Sequence, residues 1–83
     1  MTYELTQHAM DALAERRIPL EWMERVLANP TLVESDDTDP RLRHFLGAIA
    51  EHGNRVLRVV LDPMAAPVRI ITVYFDRKMK GKL

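Results

Sequence analysis

Three segments in the second half of the chain alternate apolar and polar residues, and the connections between them are very short. The segments are 43–51, 55–62 and 68–76, separated by three and by five residues. A period of two is typical of β-strands that bury one face. A parallel crossover needs about a dozen residues, so connections of this length allow only antiparallel neighbours. The sequence therefore predicts an antiparallel β-meander.

The first third of the chain has the periodicity of helices instead. Apolar residues recur at steps of three and four through 7–17 and again through 20–29. Pro19 separates the two segments, and Pro30 ends the second because the residue before a proline avoids the helical region. A short strand is predicted at 31–34. This order of elements predicts an α+β fold, in which two N-terminal helices pack on a three- to four-stranded antiparallel sheet.

The length of 83 residues is that of one domain, which we expect to span 1–83. No apolar run approaches the roughly 18 residues of a membrane span, and the absence of cysteine excludes disulfides and thiol chemistry. We therefore expect a soluble, cytoplasmic protein with no membrane partner. No glycine-rich phosphate loop is present, and the three histidines lack the spacing of metal ligands. We expect no cofactor and no metal.

The formal net charge of zero conceals a strong asymmetry between the two halves of the chain. Residues 1–40 carry nine acidic and three basic side chains, whereas residues 41–83 carry nine basic and three acidic ones. If the halves form different layers of the fold, one surface is basic and suits polyanions such as nucleic acids.

Alternation assigns the side chains of the last two predicted strands to opposite faces of the sheet. We predict that the helices cover the face that carries Leu57, Val59, Leu61, Ile71, Val73 and Phe75. The other face is then formed by Val56, Arg58, Val60, Asp62, Val68, Ile70, Thr72 and Tyr74. This second face is more apolar than a solvated surface needs, which favours a partner that covers it.

Six short motifs follow one another in an order that is found in a known family. In the helical half they are Thr6-Gln7-His8-Ala9, Arg16-Arg17-Ile18-Pro19-Leu20 and Val26-Leu27-Ala28-Asn29-Pro30. In the sheet half they are Arg43-His44-Phe45-Leu46-Gly47, Leu57-Arg58-Val59-Val60 and Ile71-Thr72-Val73-Tyr74. Together they resemble the bacterial domain of unknown function 4258, and the sheet half is also similar to BrnT-type toxins. The resemblance implies the RelE/ParE/BrnT-like fold and, by analogy, a toxin of a toxin–antitoxin pair.

The resemblance leaves open whether the chain is an enzyme. A metal-independent endoribonuclease must stabilise a charged phosphate and move protons. Arg58 has the planar donor fork that suits phosphate, and Tyr74 could stack on a base or donate its phenolic proton. The simpler interpretation makes Arg58 a strand residue paired with Asp62 or another acid, and Tyr74 an ordinary sheet aromatic.

His8 and Arg43 are further catalytic candidates, because the family motifs contain them. His8 could act as an acid or base if the first helix brings it to the rim of the sheet, and is otherwise a packing or capping residue. Arg43 and His44 are adjacent and face opposite sides of their strand, so only one can belong to the site. Family position favours Arg43, and alternation equally allows His44.

Nucleic acid would be bound by Arg58 and Thr72 of the mixed face and by Arg77, Lys78 and Lys80 of the basic C-terminal segment. Charge runs of this kind are also commonly only solvated.

Two functional hypotheses follow. In the first, the chain is a toxin-like domain that acts on RNA or the ribosome. In the second, it is a non-catalytic module that binds another protein or a second copy of itself through the sheet face. An antitoxin protein is the partner expected under the first hypothesis. The second hypothesis uses Val56, Val60 and Ile70 of the mixed face as the docking surface.

Overall fold

The computed structural model describes residues 1–83 and confirms the two predicted helices. Helix α1 spans Gln7–Glu15, and helix α2 spans Leu20–Ala28. Thr6 caps α1, because its hydroxyl oxygen accepts a hydrogen bond from the backbone N–H of Ala9 at 3.1 Å. No helix is both long and apolar enough to traverse a lipid bilayer.

Five strands form a single sheet. In chain order they are β1 (Tyr3–Leu5), β2 (Leu32–Ser35), β3 (Arg43–Ile49), β4 (Arg55–Asp62) and β5 (Val68–Phe75). Their order across the sheet is β1-β5-β4-β3-β2. Strands β2 to β5 pair antiparallel with their sequence neighbours, as the short connections predict. β3 ends earlier than predicted because Ala50–His52 forms a 3-10 turn.

The sheet differs from the prediction at one edge. β1 pairs parallel with β5, so that Tyr3 lies opposite Val68 and Leu5 lies opposite Ile70. The sheet is therefore mixed and five-stranded, and the prediction of a three- to four-stranded antiparallel sheet is wrong at this edge. With three residues, β1 is too short to show an alternating pattern, and its partner β5 is distant in sequence.

An irregularity in the β4–β5 pairing changes which residues of β5 face the helices. Val60 lies opposite Thr72, but the next residue, Leu61, lies opposite Ile70, so Ile71 has no partner of its own. A bulge of this kind shifts the alternation on one side of it. Ile70 is fully buried in the core beneath the helices. The prediction that placed Ile71 on the helix face and Ile70 on the opposite face is therefore wrong.

The two helices cover one face of the sheet and form the hydrophobic core with it. The core consists of Ala9, Leu13, Ile18, Met23, Val26, Leu27, Ile49, Leu57, Val59, Leu61, Ile70 and Val73. Val68 and Phe75 are partly buried and pack against this cluster. Val68 therefore lies with the core and not on the outer face, for the same reason as Ile70.

The outer face, which points away from the helices, is closed by the chain itself. Val56 and Val60 belong to this face and are only 1% and 5% exposed. Arg58 lies between them on the same side of β4, and a 3-10 turn over Arg77–Met79 also contacts β4. The docking surface predicted from Val56, Val60 and Ile70 is therefore absent, because two of these side chains are covered on this face and Ile70 lies in the core.

Candidate functional site

Many polar side chains on the outer face line one depression, which we call the acidic pocket. Its volume is about 280 Å³. It is lined by Glu34, Ser35, Asp36, Asp37, His44, Arg58, Tyr74 and Asp76. Two predicted catalytic residues, Arg58 and Tyr74, lie together here because they are direct cross-strand partners on β4 and β5.

The guanidinium of Arg58 is held by two carboxylates. Its Nε and Nη2 donate to Oδ2 of Asp76 at 3.0 and 2.7 Å, and its Nη1 donates to Oε1 of Glu34 at 3.1 Å. Only 12% of the Arg58 side chain is exposed. This arrangement matches the simpler interpretation of Arg58, a strand residue paired with acids, although Asp62 is not one of the partners.

A histidine completes the network. Nδ1 of His44 lies 2.8 Å from Nη1 of Arg58, and Nε2 of His44 lies 2.7 Å from Oδ1 of Asp36. Because a guanidinium can only donate, Nδ1 accepts from Arg58 and the ring proton on Nε2 is donated to Asp36. Both ring nitrogens of His44 are therefore engaged, which leaves neither of them to accept a proton from a substrate.

The network also keeps its carboxyl groups ionised. The backbone N–H of Asp39 and the His44 ring donate to Asp36 and hold its pKa well below the usual range. Burial by itself would raise the pKa of Asp76, but its hydrogen bonds, chiefly those from Arg58, outweigh burial, so the pKa is lowered. Both groups are negatively charged at neutral pH.

The acidic pocket is poorly suited to bind a phosphate group. Its four carboxylates outnumber its one arginine, and all three nitrogens of that guanidinium already donate within the chain. A phosphate near Arg58 would have to displace Asp76 or Glu34 and would be repelled by the remaining carboxylates. No three acidic or histidine side chains in the structure are placed to hold a metal ion.

A larger depression, the basic cleft, lies at the end of the sheet where β4 begins and β5 ends. Its volume is about 560 Å³. It is lined by Arg16, His52, Arg55, Phe75, Asp76, Arg77 and Lys80. The lining comes from the end of α1, the turn between β3 and β4, and the chain that follows β5.

The cations of the basic cleft have no acidic partner. They are Arg16, Arg55, Arg77 and Lys80. All four are exposed, and none of them takes part in a salt bridge. The only carboxylate in the cleft is Asp76, which is already bound by the Arg58 guanidinium and by the backbone N–H of Lys78. The cleft therefore carries uncompensated positive charge, and anions are its expected ligands.

A comparison with models of known families identifies the family of this chain. A family model described as Domain of unknown function (DUF4258) matches residues 5–75. The chain belongs to the DUF4258 family. The resemblance found in its sequence motifs is thereby confirmed at the level of the family. No curated protein and no solved structure matches the chain. The DUF4258 match ends at Phe75, so Arg77 and Lys80 of the basic cleft lie beyond it.

Two of the predicted catalytic residues of this DUF4258 chain lie away from both depressions. His8 is exposed near the start of α1, about 12 Å along the helix from Arg16. The Arg43 guanidinium donates to two backbone carbonyls of the preceding loop, both at 2.9 Å. His44, and not Arg43, lies on the Arg58 side of the sheet, so the placement of Arg43 with Arg58 and Tyr74 is wrong.

Three of the five residues predicted to bind nucleic acid line one of the two depressions, and two line neither. Arg77 and Lys80 line the basic cleft, whereas Arg58 lies in the acidic pocket. Thr72 lies opposite Val60 on the outer face and lines neither depression. Lys78 is exposed outside the cleft.

Sequence reasoning did not identify Arg16, His52 and Arg55 as site residues. Arg55 could have been found by counting along the β4–β5 hairpin, because the start of one antiparallel strand meets the end of the next. Arg16 gives no such signal, since its distance from the sheet depends on how α1 packs.

Proposed function

We propose that this DUF4258 chain is a toxin-like domain that acts on RNA or the ribosome and holds RNA phosphates in the basic cleft. The observation that carries the proposal is the group of four exposed cations without a carboxylate partner. Contacts between cations and phosphates supply most of the affinity of a protein for nucleic acid and require no particular base sequence. The RelE/ParE/BrnT-like relationship is part of this proposal, and the two N-terminal helices packed on the antiparallel strands β2 to β5 support it.

The proposed contact with RNA differs from the one expected from Arg58 and Tyr74. Arg58 is neutralised by two carboxylates, whereas Arg77 and Lys80 have none. A phosphate that enters the basic cleft replaces only water around its cations, but one that enters the acidic pocket must break ion pairs. The basic cleft is therefore the better phosphate site.

Charge removal in the basic cleft tests RNA binding. We expect Arg55→Ala and Arg77→Ala each to weaken the binding of a labelled RNA oligonucleotide and to reduce the slope of log affinity against log salt by about one. Fluorescence anisotropy at several salt concentrations measures both effects. Arg41→Ala is the control for overall charge, because Arg41 is exposed, pairs with Asp39, and belongs to the loop before β3, at the opposite end of the β3–β4 pair from Arg55.

Equal RNA affinity in native protein, Arg55→Ala and Arg77→Ala would contradict the proposal. So would an equal loss in Arg41→Ala, because that result would indicate attraction by overall charge and not by the cleft.

The toxin-like role is tested in cells. We expect induction of the gene alone to arrest growth, co-expression of the neighbouring gene to restore it, and the double variant Arg55→Ala/Arg77→Ala to be harmless. RNA incubated with purified protein in the presence of a chelator tests whether the domain cleaves RNA without metal. Harmless expression together with intact RNA at micromolar protein would count against the toxin while leaving RNA binding to be judged by anisotropy.

A further inference from the structure

An aromatic cluster lies beside the cations of the basic cleft. It consists of Trp22 on α2, His52 in the turn after β3, and Phe75 at the end of β5. The ring centroid of His52 lies 4.8 Å from that of Phe75 and 5.4 Å from that of Trp22. Trp22 and Phe75 meet edge to face with centroids 6.2 Å apart. All three distances are within the range of attractive contacts between aromatic rings.

Two of these rings form part of the wall of the cleft. His52 and Phe75 line it, and both are partly exposed. Phe75 and Trp22 also pack against the hydrophobic core, so the cluster is anchored to the fold. The imidazole of His52 makes no hydrogen bond to another group of the chain, although His44 makes two. The cleft therefore has an anchored aromatic wall beside its cations, in which the His52 and Phe75 rings are tilted by 38° to each other.

Cations next to aromatic rings suit a nucleotide whose base is exposed. In a double helix the faces of the bases are covered by their neighbours, and only phosphates and groove edges are accessible. In a single strand a base can stack on an aromatic side chain while its phosphates meet arginine and lysine. A volume of about 560 Å³ is also in the range of pockets that take small ligands, so the cleft has room for such a nucleotide.

We propose that the basic cleft selects single-stranded RNA, with one base stacked on His52 and Phe75 and the adjoining phosphates bound by the surrounding cations. This inference rests on the proposed RNA-binding function and adds the class of RNA. The proposal assigns stacking to His52, because its ring belongs to the aromatic cluster, and the variant His52→Phe separates stacking from charge.

The test compares one RNA sequence as a single strand and as a blunt duplex with native protein and three variants. His52→Ala removes the ring, His52→Phe keeps an aromatic ring without ring nitrogens, and His8→Ala removes an exposed imidazole elsewhere as the matched control. Fluorescence anisotropy measures the affinity of each variant for both RNA forms. Trp22, the single tryptophan, gives a second readout, since a base stacked on His52 should change its fluorescence.

We expect the native protein to bind the single strand at least about tenfold more tightly than the duplex. His52→Ala should lose most of that preference and leave duplex binding unchanged, while His52→Phe and His8→Ala should keep it. Equal affinity for the two RNA forms, an equal loss for both in His52→Ala, or failure of His52→Phe to restore binding would each overturn the inference. If neither RNA form binds the native protein, the proposed function itself fails, and that result is distinct from binding without preference.

Discussion

The guanidinium of Arg58 joins three segments that are distant in sequence. It bonds Glu34 of β2, the His44 ring of β3, and Asp76 in the turn after β5. The Asp76 and His44 side chains are mostly covered, so removal of Arg58 would leave a carboxylate and a ring nitrogen without this donor in a poorly hydrated place, whereas the more exposed Glu34 would be hydrated. At the scale of a single residue, Arg58 is a structural cross-link of the outer face.

Substitution of Arg58 should therefore lower the free energy of unfolding and leave the affinity for RNA largely unchanged. We expect Arg58→Ala to lower the free energy of unfolding by about 2–3 kcal/mol, because hydrogen bonds to charged groups are lost and their acceptors remain. The free energy of unfolding of Arg58→Lys should lie between those of the native protein and Arg58→Ala, since a single ammonium cannot reproduce the planar fork that reaches both Asp76 and Glu34. Urea denaturation measures the change, with Arg41→Ala as a surface control expected to stay within about 0.5 kcal/mol.

The opposite result would be equally informative. If Arg58→Ala is as stable as the native chain but no longer binds RNA, Arg58 is a phosphate ligand. That result would contradict the assignment of RNA binding to the basic cleft.

The bulge in β5 changes which side chains of this strand enter the core. Ile71 lacks a cross-strand partner, and its carbonyl accepts a hydrogen bond from the Thr6 hydroxyl at 3.1 Å. The same Thr6 oxygen caps α1, so the bulge holds the first turn of that helix on the sheet. It also directs Ile70 into the core, where simple alternation would have directed Ile71.

Paired substitutions in β5 test the position of the bulge. We expect Ile70→Ala to destabilise the protein by about 2–5 kcal/mol, as is usual for a large aliphatic side chain removed from a core. Ile71→Ala should cost less than about 1 kcal/mol, because Ile71 is only partly buried and lies outside the core cluster. Thermal or urea unfolding of the two variants compares them directly. A larger loss from Ile71→Ala than from Ile70→Ala would mean that β5 keeps regular alternation to its first residue.

The charges of the two halves of the molecule compensate each other in part. Glu4 pairs with Arg69 and Glu34 with Arg58, so acidic residues of the first half neutralise basic residues of the second. The basic surface predicted from the sequence is consequently not the whole C-terminal half. The cleft gathers four of the unpaired cations, Arg16 of the first half and three of the second.

Closure of the outer face should also determine the state of association. Since Val56 and Val60 are covered by the chain itself, we expect the protein to sediment as a monomer of 9.6 kDa at micromolar concentration. Val60→Asp should then unfold the protein, because it buries a charge, and should not convert a dimer to a monomer. Sedimentation velocity together with circular dichroism separates the two outcomes. A native dimer that Val60→Asp dissociates into folded monomers would contradict this prediction and support the sheet-face interface.

Local patterns in the sequence by themselves determined the kind and order of the two helices and of β2 to β5. Helical and strand periods, Pro19, Pro30 and the short connections act within a few residues, and they predicted both helices and the antiparallel order of β2 to β5. Hairpin pairing likewise allowed Arg58 and Tyr74 to be placed side by side. Only the tertiary structure decided that β1 adds a parallel edge, that Arg58 is neutralised, and that the unpaired cations gather around His52 and Phe75. The physical reason is that these features depend on register and packing between segments far apart in the chain, and a local pattern carries no information about either.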